Sequence, residues 1–140
     1  MNEERDYFNK DDQQAILTRY NRMLRESTQY FFDVFEFENI IDYYLEKDDL
    51  KKARRASEIA YLQHPYAVEI QYKKAQVLFE LEEYDAALDL LELIENIETA
   101  NTDVYMLLGN IYTFKNQFNV ANEKFQNAIQ SADDSNDIEL

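Results

Sequence analysis

The stretch Tyr105-Met106-Leu107-Leu108-Gly109-Asn110-Ile111-Tyr112, continued by Phe118, Ala121, Phe125 and Ala128, decides how the chain reads. Its apolar residues return at three- and four-residue spacing, the period of a helix with one buried face. Gly109 stands inside that pattern, where glycine costs about 1 kcal/mol relative to alanine, so it needs a compensating reason. A second helix approaching closely supplies one.

Shifts of 34 residues carry the same pattern back through the chain. Ala53, Ala87 and Ala121 are so spaced, each three residues after Leu50, Tyr84 or Phe118. The columns Tyr44/Leu78/Tyr112, Ile41/Ala75/Gly109, Ala60/Ile94/Ala128 and Ser57/Leu91/Phe125 follow. Each unit reads as two amphipathic helices joined tightly, with a face that it cannot bury alone, so successive units stack.

In these residues the chain resembles the tetratricopeptide repeat family, most clearly through Tyr105, Leu108, Gly109, Tyr112, Phe118, Ala121, Phe125 and Ala128. The first unit, with Phe37, Ile40, Tyr44, Leu50, Ala53 and Ala60, keeps the family's closing proline at Pro65. It has Ile41 in place of the usual glycine and Ser57 in place of the usual aromatic, which predicts a looser helix contact. The middle unit departs furthest, with Gln71 and Lys74 at apolar positions and Thr99 in place of the proline. The resemblance covers residues 34–135 and implies an all-α fold, a right-handed α-solenoid of stacked antiparallel helix pairs. Its divisions are an N-terminal segment at 1–33 with one capping helix, repeats at 34–67, 68–101 and 102–135, and 136–140 as an acidic tail or the start of a fourth repeat.

The expected helices span roughly 12–27, 31–46, 50–62, 67–81, 84–97, 102–115 and 118–132. Asp48 or Asp49 precedes one, Thr102 with Asp103 opens another, and Pro65 stops the one before it. Ile16, Tyr20, Met23, Leu24 and Phe31 form an apolar stripe for packing on the first repeat, while Arg19 and Glu26 stand where repeat alanines belong. A further 34-residue shift aligns Thr102-Asp103-Val104 with Asn136-Asp137-Ile138. That alignment suggests the N-terminal part of a longer repeat protein; the alternative is a frayed acidic tail built on Asp133, Asp134, Asp137 and Glu139.

The chain has 29 acids against 14 cations, a formal charge of −15, which disfavours nucleic acid and anionic membrane surfaces and favours a basic partner. No secretory start or membrane-length apolar run is legible, so a soluble, cytoplasmic protein is expected. There is no Cys and a single Gly, which leaves no thiol chemistry and no phosphate-cradling loop. His64, the one histidine, reads as a turn residue, and the pairs Asp11-Asp12 and Asp48-Asp49 read as helix starts. No catalytic residue, cofactor or metal is expected. Lys51, Lys52, Arg54 and Arg55 form either a solvated face or a docking patch for an acidic partner.

In the family that the chain resembles, the first helices of successive repeats line a concave groove for a partner's extended peptide or helix. The matching positions are Phe35, Glu38, Asp42, Glu46, Glu69, Tyr72, Gln76, Phe79, Asp103, Met106, Asn110 and Phe114. Such a groove is acidic and aromatic and suits a basic segment with apolar anchors. Core and groove positions differ by one residue of rotation, so packing between repeats is the alternative for each ring. The family's basic clamp on a C-terminal carboxylate is disfavoured, because Glu38, Asp42 and Asp103 stand at matching places. The expected function is a protein-interaction scaffold, monomeric or weakly self-associating. The alternatives are a structural module that packs on its own copies and a regulatory segment of a larger protein.

Overall fold

A computed structural model of the chain describes residues 9–97 and 101–139. Among the described residues there are seven helices and no strand. They are α1 (Lys10–Glu26), α2 (Val34–Glu46), α3 (Leu50–Gln63), α4 (Val68–Glu80), α5 (Tyr84–Ile97), α6 (Thr102–Phe114) and α7 (Phe118–Glu139). Side-chain N-caps set several of the starts: Asn9 and Asp33 close reciprocal capping boxes with Asp12 and Glu36, so that α2 begins at Val34 and not near 31, and Asn101 accepts from the Val104 amide at 3.0 Å. Of the two candidates before α3, Asp49 is the cap and Asp48 lies in the left-handed region.

The 34-residue period is present in the backbone itself. Asp48, Glu82 and Asn116 occupy the left-handed region with φ of 55°, 61° and 63°. Each sits in the turn between paired helices, where its amide donates to the carbonyl three residues back (Leu45, Phe79, Thr113). The following amides of Asp49, Glu83 and Gln117 reach back five residues to Tyr44, Leu78 and Tyr112 at 2.8–2.9 Å. This closure satisfies the orphan carbonyls of the first helix. None of the three is glycine, so a residue-type search for the turn misses it.

The chain divides into two compact units, residues 1–70 and 71–140. In the first, α1 packs on α2 and α2 on α3. Ile16, Leu17, Tyr20 and Met23 of α1 meet a core containing Phe32, Phe37, Ile40, Ile41, Tyr44, Ala53, Ala56, Ser57 and Ala60. Phe31 does not continue the α1 stripe: it is 70% exposed, and Phe32 is buried in its stead. The helix has already ended at Ser27, and in the extended segment that follows neighbouring side chains point opposite ways. Gln63 fastens this segment, donating to the Tyr30 carbonyl at 2.7 Å and accepting from the Phe32 amide at 3.1 Å. His64 Nε2 donates to the Phe32 carbonyl at 2.7 Å, which makes the turn histidine a latch on the segment. Arg19 is placed by its neighbours, its guanidinium 4.3 Å from the Phe32 ring centre and 2.8 Å from Glu36.

Tyr20 touches Phe32 edge-on at 6.0 Å and lies 6.5 Å from Tyr44. Its hydroxyl is buried without a hydrogen-bond partner among the described residues. Burial, with Tyr44 beside it, pushes its pKa up to about 12 from 10.0. The folded state therefore holds this proton more tightly than the unfolded chain, so its contribution is intact below pH 10 and is lost as pH rises through about 12. Tyr20→Phe removes an unsatisfied hydroxyl and is expected to raise stability at neutral pH by about 1 kcal/mol. Its advantage should widen between pH 10 and 12 in denaturant titrations; a constant gap refutes the linkage.

In the second unit, α5 packs on α6 and α6 on α7. Leu88, Leu90, Leu91, Ile94, Val104, Leu107, Leu108, Ile111, Ala121 and Ala128 are buried there. A Cβ built on Gly109 would overlap the Phe125 ring, so the glycine marks the expected close contact. The equivalent columns vary in compensating fashion: Ala75 with Leu91, and Ile41 with Ser57, all four buried. In the first repeat a larger residue, Ile41, thus stands in the glycine column where a smaller one, Ser57, stands in the aromatic column. Phe118, expected to pack like Leu50 and Tyr84, is 62% exposed. Tyr84 is covered by a ring from the next first helix, and among the described residues no helix follows α7.

α7 continues seven residues beyond the expected end near 132. Its sequence from Phe118 to Glu139 contains neither Gly nor Pro to stop it. Asn136-Asp137-Ile138 therefore continues α7 rather than opening a separate helix. Thr99 and residues 1–8 lie outside the described residues.

Candidate functional site

The twelve expected groove positions fall on α2 (Phe35, Glu38, Asp42, Glu46), α4 (Glu69, Tyr72, Gln76, Phe79) and α6 (Asp103, Met106, Asn110, Phe114). None lies in the buried core. Glu46, Glu69, Asp103, Met106, Asn110 and Phe114 are exposed, and the other six are half-buried. The spacing that puts Asp103, Met106, Asn110 and Phe114 on one stripe of α6 leaves Val104, Leu107, Leu108 and Ile111 for the core.

Within the second unit two of the twelve, from different helices, pack ring on ring. Phe79, near the end of α4, meets Phe114, at the end of α6, with ring centres 5.6 Å apart at 71°. Sequence reasoning missed the third member: Tyr84, read as a packing column, stacks on Phe114 at 5.9 Å and 22° and lies 5.8 Å from Phe79. The signal available was its position at the first residue of α5, where a helix start faces the neighbouring helix ends. Phe114 keeps 62% of its surface open, so the cluster presents one broad ring face to solvent.

Carboxylates surround this cluster. The Tyr84 phenol titrates above its ordinary value, first because adjacent atoms desolvate it, then because Glu82 and Glu80 oppose its ionisation. Asp85, one residue on, pairs with Lys115. Lys124 is held by Glu95 at 3.2 Å with both groups largely covered. Residues 71–140 carry four cations and fourteen acids. The face is thus apolar at its centre and negative at its rim, and two cations of the second unit are engaged by acids of α5.

Tyr72 accepts a hydrogen bond from Gln76 Nε2 at 3.3 Å, which orders one turn of α4. Gln71, at an expected apolar position, is buried nonetheless. Among the described residues no group of three or more His, Cys, Asp or Glu side chains is arranged to hold a metal ion. No helix among them is long and apolar enough to cross a membrane. No model of a known protein family matches the chain, and no curated protein matches it either.

Proposed function

We propose that the chain is a protein-interaction module whose first helices receive a basic segment bearing apolar anchors. The observation that carries this reading is the open three-ring cluster of Phe79, Tyr84 and Phe114 set among carboxylates. Exposed aromatic rings supply contact area at small entropic cost, and surrounding acids steer a cationic ligand and reject an anionic one. On this reading the repeated turns and helix pairs are those of a right-handed, tetratricopeptide-like solenoid, and the ring cluster marks its binding stripe in the second unit. Such a module performs no chemistry of its own and works in the cytoplasm as a recruiting scaffold.

The test is calorimetry with a blocked peptide alternating Arg and Leu, read together with the methionine ε-methyl resonances. Of the three methionines, Met106 lies exposed on α6 and reports the proposed face. Binding that shifts Met106 supports the reading; a silent Met106, or equal shifts with an alternating Glu and Leu peptide, refutes it. One observation favours a second reading, self-association: Phe118 and Ile129, eleven residues apart and so on one face of α7, are both exposed. Light scattering over a concentration series separates the two, because the scaffold stays monomeric without its partner.

A further inference from the structure

Between the C-terminal end of α1 and the middle of α3 lies an open cleft of about 230 Å³. Met23, Leu24 and Ile59 give it an apolar side, and Ser27, Thr28 and Arg55 a polar one. It belongs wholly to the first unit and shares no residue with the face proposed above. Drug-sized ligands occupy pockets of about 300–1,000 Å³, so this space fits a single side chain, the anchor of a peptide.

The α3 side of the cleft is locally basic: the helix carries Lys51, Lys52, Arg54 and Arg55 against one acid, Glu58, although residues 1–70 as a whole hold ten cations and fifteen acids. Lys51 and Lys52 precede Arg55 by four and three residues and therefore share its face of α3. Arg25 sits in the last turn of α1, beside the residues that line the cleft. Of the acids nearby, Glu26 accepts the Tyr30 hydroxyl and Asp49 caps α3 and faces Lys52 at 3.9 Å, while Glu58, three residues after Arg55, is exposed. Arg55 makes no ion pair among the described residues, although acids outnumber cations two to one.

Helix polarity fixes how an occupant lies. The α1 end of the cleft presents helix C-terminal carbonyls, which repel an anion, so a carboxylate lies on the α3 side, beside Arg55. We propose that the cleft is a second docking site, for an acidic segment of a protein partner. One aliphatic side chain enters between Met23, Leu24 and Ile59, and a flanking carboxylate pairs with Arg55, with Lys51 and Lys52 beyond it. Exposed Leu62, one turn past Ile59, extends the apolar side. The net charge of −15 repels acidic peptides everywhere else, so binding here stands on a low background.

Met23 lines the cleft as Met106 lies on α6, so one ε-methyl spectrum reads the two sites separately. The probe is the blocked peptide Asp-Glu-Leu-Glu-Asp, titrated into the full chain at physiological salt. The expected result is a saturable shift of Met23 with Met106 unmoved, and an affinity about tenfold lower in Arg55→Glu. Arg55 is exposed, so this variant should keep the parent's circular dichroism and melting; Ile59→Asp, which fills the apolar side with charge, should lose binding as well. No shift of Met23 at millimolar peptide, or equal binding by Arg55→Glu, overturns the proposal. So does a Met23 shift produced equally by phosphatidylserine vesicles or an oligonucleotide, which would make the cleft a general anion site. A failure of the basic peptide at Met106 leaves this outcome untouched.

Discussion

Gly109→Leu should lower the stability of the second unit by about 1–3 kcal/mol, while the double variant Gly109→Ala/Phe125→Leu should melt close to the parent. Even a methyl at position 109 overlaps the Phe125 ring, so leucine must displace that ring or part α6 from α7. The helix-propensity gain on replacing glycine is about 1 kcal/mol and does not offset overpacking of that size. The double variant installs the pair that the middle repeat already uses, Ala75 with Leu91, both buried. In the first repeat the same columns hold Ile41 and Ser57, so Ser57→Phe with Ile41 in place should fail in the same manner. Chemical denaturation of the variants decides the matter. If Gly109→Leu unfolds at the parent's midpoint, the glycine is not a packing device.

That pair also shows how far the sequence could be read. Columns at 34-residue spacing located the six helices from α2 to α7, because small and large residues recur wherever one helix must approach another, and α1 was legible only as an apolar stripe. The close contact was legible only at Gly109, which meets Phe125; at Ile41 and Ser57 each column alone looks like decay of the pattern, although both residues are buried. The repeated turn was hidden for a related reason. Asp48, Glu82 and Asn116 share a backbone conformation and not a residue type. Phe31 and Phe32 could not be told apart by periodicity, because α1 stops at Ser27 and the helical count no longer applies.

The candidate site divides along the same line. Helical stepping placed twelve positions off the core, a question of rotation about one axis, which sequence answers well. Joining rings from different helices is a tertiary question, and there Phe79 and Phe114 met while Tyr84 went unnoticed. His64 and Gln63 were equally opaque, since their partners are backbone groups thirty residues away that carry no side-chain signature.

Phe114→Ala should weaken binding of the Arg and Leu peptide by about thirtyfold or more, the effect of removing a central aromatic anchor, about 2 kcal/mol or greater. Phe114 presents the open ring of the three, and its loss removes both the surface a ligand meets and the stack that orders Tyr84. Substituting Glu80 and Glu82 by glutamine should act differently, slowing association and flattening the salt dependence, because exposed rim charges steer encounter more than they hold the complex. The melting temperature should fall only slightly in Phe114→Ala, since an aromatic pairing is worth about 0.5–1.5 kcal/mol and Phe114 is largely exposed. Dissociation rates and van't Hoff melts on the same samples keep the two effects apart. A variant that binds as tightly as the parent removes the ring cluster from the recognition surface and leaves the acids acting as a diffuse field, which gives attraction without an address.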